Sequence, residues 1–262
     1  MLYEPGEVKI SEIQLEKIFK NIPSPICLLG GWATYHLVNR SFEKTHGRKY
    51  IGSRDIDLGF HLEKHWNEEH LIKSEFIAAV KTMEKMGFRS VNFRLVKDFN
   101  LDTGMELTAE ESARVPLYQI FQLYIDPIVD YIHPKIKDLI GFIPIDEPLL
   151  SLVFQNKMYT SANIFNKTIL LPKPHVLLAM KLNSVLNRDK ENKRIKDIAD
   201  IYAILWHSDI SLNELKDQLF SIYPKEKARK IAQSFTREDI NKSSTAIGVK
   251  AQEISRVLAE LK

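Results

Sequence analysis

Pro172 and Pro174 divide the chain into two stretches of different periodicity. Ahead of them, short apolar runs alternate with amphipathic segments, and proline and glycine punctuate the spaces between. Behind them, from His175 onward, the spacing of apolar residues is helical throughout. Strand-like runs need pairing partners, and helical runs need an apolar surface to cover. A chain that mixes the two and then turns wholly helical is expected to be α/β (α+β): a mixed-sheet domain over 1–171 followed by an α-helical domain over 172–262. A length of 262 residues is enough for this arrangement.

Individual elements follow from pattern. Ile13, Leu15, Ile18, Phe19 and Ile22 predict a helix over 11–21, with Ser11 as N-cap and Pro23 and Pro25 as its stop. Residues 26–29 read as a short apolar strand. Gly30-Gly31 follows, and Trp32 to Val38 read as a helix. Residues 40–53 are polar and read as a loop. The alternation over 55–60 predicts a half-buried strand. A long amphipathic helix is predicted over 68–86, stopped by Gly87. Strands are predicted over 88–96, 118–125, 150–154 and 168–171. Helices are predicted over 175–187 and 192–206, and three more are separated near Pro224, Thr236 and Ser243–Ser244.

Composition narrows the function classes. Apolar residues make up 44 % and charged residues 27 %, which is globular rather than disordered. The net charge of +3 comes from 37 basic and 34 acidic residues, interspersed, so nucleic-acid contact is permitted without being predicted. The one cysteine, Cys27, excludes a disulfide framework within the chain and fits a reducing compartment. Its apolar surroundings predict a buried, inert thiol. The N-terminus lacks a basic-then-apolar leader, and no apolar run reaches the ~18 residues of a membrane span. A cytoplasmic location away from membranes is expected.

The chemistry concentrates around Leu28-Leu29-Gly30-Gly31-Trp32 and Gly52-Ser53-Arg54-Asp55-Ile56-Asp57-Leu58. On a strand, Asp55 and Asp57 project from one face while Ile56 and Leu58 face the other. Two carboxylates that close repel, and either a proton or a cation must relieve the repulsion. A hard divalent ion such as Mg²⁺ (or Mn²⁺) prefers carboxylate oxygens and shares them with substrate phosphates. Gly30 and Gly31, between a strand and a helix, would let phosphate approach the backbone. The Ser53 hydroxyl and the Arg54 guanidinium could hold phosphate oxygens. An Asp-x-Asp pair alone, or a Gly-Gly pair alone, is equally explained by a charged strand edge or a turn. Their combination in this order points to nucleotide chemistry.

These residues resemble the nucleotidyltransferase superfamily with the fold of DNA polymerase beta, and among its branches the AbiEii-type toxins of type IV toxin–antitoxin systems. Gly30 and Asp55 stand 25 residues apart, longer than in the minimal antitoxin-like members. The similarity is expected to cover 26–206. It implies a third acid on a neighbouring strand. Asp126, which closes the run 121–125, is preferred, and Asp130 remains the alternative. Either would bind metal or act as general base. AbiEii-like relatives carry a helical lysine and a basic–Asp–x–x–Asp pattern in the next helix, matched here by Lys181, Asp197 and Asp200. Lys181 would neutralise triphosphate, supported by the two aspartates; the structural alternative is an ion-pair network between helices.

The implied activity is metal-dependent transfer of a nucleoside monophosphate from an NTP to an acceptor. The resemblance implies an RNA such as tRNA as that acceptor, and a separately encoded antitoxin as a partner. Rival readings are transfer to a protein or small molecule, and a non-catalytic NTP-binding module. His61, His65 and His70 near Glu63, Glu68 and Glu69 lack zinc-protease spacing and read as a solvated loop and helix start. The basic run over 225–230 reads as a solvated helix face.

Overall fold

The computed structural model describes residues 2–261. In chain order it begins α1 Pro5–Asn21, β1 Cys27–Leu28, α2 Gly30–His46, β2 Ile56–Phe60, α3 Glu68–Ile72, α4 Glu75–Lys85, β3 Arg89–Val91 and β4 Arg94–Asn100. It continues β5 Glu106–Leu107, α5 Ala109–Ser112, β6 Ile120–Val129, α6 Ile136–Ile140, β7 Ile145–Asp146, α7 Leu150–Phe154, β8 Tyr159–Ile164 and β9 Lys167–Pro172. The helical stretch is α8 Pro174–Val185, α9 Glu191–His207, α10 Leu212–Ile222, α11 Lys225–Gln233, α12 Arg237–Ile247 and α13 Ala251–Leu258.

These elements form two compact units that do not follow chain order. One comprises residues 3–29 and 53–171; the other comprises Leu2, residues 30–52 and the helices from residue 172 onward. Sequence periodicity places α2 with the strands because it lies between two of them. Its buried Trp32, Ala33, Val38 and Phe42 instead pack within the helical unit, on α9 and α8. The Phe42 ring stands edge-on to Tyr50 at 5.0 Å and to His207 at 5.1 Å.

The sheet unit is built on nine strands in the order β3-β4-β6-β2-β1-β9-β8, with β5 pairing β4 and β7 pairing β6. The sheet is mixed. Pairs β1–β9, β2–β6 and β6–β7 are parallel, whereas β1–β2, β3–β4, β4–β5 and β4–β6 are antiparallel. Ile56, Leu58, Leu123 and Ile125 on the central strands are fully buried. Gly59 on β2 leaves room that a Cβ would fill, because Leu150 Cδ1 lies 2.9 Å from where it would stand. In the helical unit α9 is the hub, packed by α2, α8, α12 and α13. Every residue from Ile195 to Leu205 is buried, so this helix is enclosed on all sides.

Several expected boundaries move, each for a local reason. Helix α1 starts at Pro5 rather than Ser11, because Pro5 suits the first turn and Glu4 and Glu7 form a capping box. Helix α2 continues through residues 40–46, which were expected to be loop. The helix predicted over 68–86 is two helices, since the Ser74 hydroxyl caps a new start by accepting from Ile77 N–H. The run 88–96 is a hairpin turning at Asn92, whose φ is 57°. Leu150–Phe154 is a helix, not a strand; its buried residues, Leu150 and Val153, have helical spacing. Strand β6 runs on through Pro127 to Val129, because β4 stops pairing at Ile125 and β7 begins at Ile128, which leaves Pro127 in the gap. Four α-helices, rather than three, follow α9 among the described residues, and the last break falls at Gly248 (φ 56°), beyond Ser243–Ser244.

Candidate active site

Strand β2 carries Asp57, and Asp55 stands in the bend immediately before the strand, which starts one residue later than expected. Ile56, Leu58 and Phe60 are buried on one face, while Asp55 and Asp57 are partly accessible. The end of β1 is fixed against this point: Leu29 N–H donates to the Asp57 carbonyl at 2.9 Å. Strand β6 lies parallel to β2 with Asp57 opposite Asp126 and Ile56 opposite Ile125. Register partners share a face, so Asp126 stands on the same side of the sheet as Asp57. Asp126 is the more deeply buried, at 5 % exposure.

The row continues onto a third strand. In the antiparallel β4–β6 ladder Leu95 pairs with Ile125, so Arg94, one residue further, faces Asp126. Its Nη2 donates to Asp126 Oδ2 at 2.8 Å. The guanidinium also lies 4.6 Å from the ring centroids of Phe93 and Tyr124. Arg94 was not singled out from the sequence. Its partner is 32 residues away, and an arginine opening a strand carries no mark of its own. Only the register of β4 on β6 reveals it.

Residues flanking the row have other partners. Ser53 is buried. Arg54 Nη1 meets Glu7 Oε1 at 3.2 Å, and the guanidinium lies 5.4 Å from the Phe121 ring centroid. Asp130 sits at the far end of β6, where Oδ1 accepts from Leu62 N–H at 2.9 Å and Oδ2 meets His61 Nδ1. Asp126 therefore shares its register with Asp57, and Asp130 serves the loop after β2. His61 also bonds Glu63 at 2.8 Å, so it is held by two carboxylates. Cys27 is fully buried, and burial pushes its thiol up.

Lys181, Asp197 and Asp200 lie in the helical unit, as do Gly30 and Gly31. Gly30 opens α2 with φ 61°, a backbone state that favours glycine. Lys181 Nζ contacts Asp197 at 2.8 Å and Asp200 at 2.7 Å. Arg188 Nε reaches Asp197 at 2.6 Å, Lys196 pairs with Asp200, and Tyr50 donates to Asp200 at 2.8 Å. Burial opposes the charge on Lys181, but the two carboxylates outweigh it and hold its pKa above the ordinary lysine range. Burial, reinforced by Lys181, lowers that of Lys196 despite Asp200. The cluster is an ion network between α8 and α9, with Tyr50 tied in.

The acid row supplies only carboxylate oxygens, the donor chemistry of a hard divalent cation. Among the described residues no group of three or more His, Cys, Asp or Glu side chains is gathered into a ready-made cage. The row fits the commoner case, in which Mg²⁺ is held by one or two carboxylates and completed by water and substrate phosphate.

A mixed-sheet unit bearing carboxylates in register on adjacent parallel strands has the form expected of a nucleotidyltransferase. Residues 44–256 match the family model described as "Nucleotidyl transferase AbiEii toxin, Type IV TA system". The chain belongs to the AbiEii nucleotidyltransferase family. The match takes in Ser53 through Asp200, runs further toward the C-terminus than the expected 206, and begins after Gly30 and Gly31. The crystal structure of an antigenic nucleotidyltransferase-like protein from Paracoccidioides brasiliensis is similar at 15 % identity and TM-score 0.42, over 92 % of each chain. No curated protein matches the chain.

Proposed function

We propose that the protein transfers a nucleoside monophosphate from an NTP to an acceptor hydroxyl, using Asp55, Asp57 and Asp126. One observation carries this reading: Asp126 stands in register with Asp57 on the neighbouring parallel strand, and Asp55 is two residues away at the entry to β2. Asp55 and Asp57 would hold Mg²⁺ or Mn²⁺, which when bound neutralises triphosphate charge. Ser53 and Arg54 would hold phosphate oxygens beside them, Arg54 exchanging Glu7 for the substrate. Asp126 would take the acceptor hydroxyl proton as that oxygen bonds to the α-phosphorus, the α–β phosphoanhydride bond breaks and pyrophosphate leaves. The protein's contribution is alignment and electrostatics, since the leaving group needs no covalent partner.

The acceptor we propose is an RNA, such as a tRNA, and the family description, a toxin of a type IV toxin–antitoxin system, supports an antitoxin made as a separate chain. None of the described helices is long and apolar enough to cross a membrane. The test is incubation with each α-³²P-labelled NTP, Mg²⁺ and total cellular RNA, beside an Asp57→Asn control. We expect label in RNA, abolished in the control while the melting temperature stays within a few degrees of wild type. Label on the protein itself, or on a small molecule, would replace the RNA acceptor. Full activity in Asp57→Asn would remove the carboxylate assignment.

A further inference from the structure

Arg94, Asp126 and Asp57 lie side by side on β4, β6 and β2, on one face of the sheet. The guanidinium therefore flanks the acid row at the strand next to Asp126. Its hold on Asp126 is single rather than forked, through Nη2 at 2.8 Å. Arg94 Nε is buried with no hydrogen-bond partner among the described residues. A guanidinium built only to fix a carboxylate would normally use two donors. One donor on the acid, one buried donor unused and two aromatic rings at 4.6 Å describe a cation that the rings would still hold if the acid were taken by another partner.

We propose that Arg94 is the built-in counter-cation of the acid row, neutralising Asp126 and competing for it with the divalent ion. The inference rests on the metal reading of Asp55 and Asp57 given above and adds Asp126, in register with Asp57, as a further carboxylate that the cation would engage before the acceptor arrives. Two cations cannot share one carboxylate edge without mutual repulsion, so cation loading breaks the Nη2–Asp126 contact and leaves the guanidinium held by the Phe93 and Tyr124 rings it already touches. The same contact keeps a buried carboxylate from standing beside two others uncompensated when no cation is bound. Arg94 thus acts through Asp126 and is a positioning residue rather than a catalytic one.

The test is Mn²⁺ titration of the full chain without nucleotide, following free Mn²⁺ by electron paramagnetic resonance, for wild type, Arg94→Gln and Asp57→Asn. Removing the competing positive charge should tighten binding by about tenfold, a modest share of the repulsion between two cations a few ångströms apart. Asp57→Asn should bind poorly. If Arg94→Gln binds as wild type does, or more weakly, while Asp57→Asn is impaired, the competition is wrong and the acid row stands. If Asp57→Asn binds as well as wild type, the metal reading fails and this proposal with it.

Wild-type protein supplies a readout independent of whether Arg94→Gln folds. The Arg94 Nε–Hε nuclear magnetic resonance signal, assigned by its loss in Arg94→Lys, should move on Mg²⁺ addition and stay fixed in Asp57→Asn. A wild-type signal that ignores Mg²⁺ would overturn the proposal.

Discussion

Asp126 and Asp130 are four residues apart on one chain segment, yet neighbours give them different work. Asp126 meets Arg94 across one strand and stands in register with Asp57 across the other. Asp130 receives the Leu62 amide and His61. Burial opposes protonation of His61, but hydrogen bonds and charge from Glu63 and Asp130 outweigh it, so its pKa is raised above 6.5. A raised folded-state value means that protonated His61 stabilises the fold. That contribution is complete below about pH 6.5 and is lost as pH rises through the folded-state value. The melting temperature of wild type should therefore exceed that of His61→Gln most at about pH 6, with the gap closing as pH is raised above 7. A gap independent of pH would mean that stacking on Phe154, 5.6 Å between centroids, is what the residue contributes.

Among the elements, α9 is the unusual one. Helices enclosed on all sides are normally apolar, yet this one buries Lys196, Asp197 and Asp200. Such charges survive only in closed networks, and Lys181 from α8 is the member that touches both aspartates. Lys181→Met should cost about 3 kcal/mol in urea unfolding, because it strands buried carboxylates. A loss below about 1 kcal/mol would show that Arg188, Lys196 and Tyr50 suffice to satisfy them.

Over the whole molecule, the interleaving of the two units has a consequence for dissection. Residues 172–262 read as an independent helical domain, but α2 from residues 30–46 packs on α9 and α8, and Tyr50 completes the Asp200 contacts. A fragment of 172–262 leaves that face of α9 bare. It should lack a cooperative thermal transition by circular dichroism, and fusing residues 30–52 through a flexible linker should restore one. A sharp transition in the unfused fragment would show that α2 is dispensable to the unit.

Much was written in the sequence, because local rules decided it. Period-two alternation put Asp57 opposite the buried Ile56 and Leu58 on β2, with Asp55 in the bend just ahead of the strand, and helical spacing after Pro174 announced α8 and α9. Among the described residues no strand follows Pro172, although helices lie on both sides of it and α2 groups with those behind it. Capping chemistry at Glu4–Glu7 and Ser74 was legible in principle and moved boundaries only by a turn or two. Pairing between distant segments was not legible. The register of β6 on β2 chose Asp126 to face Asp57, that of β4 on β6 brought up Arg94, and packing on α9 made α2 part of the helical unit. Periodicity records which way a residue faces. Which strand or helix lies opposite is settled by the burial of whole faces against one another, and only the tertiary structure carries that.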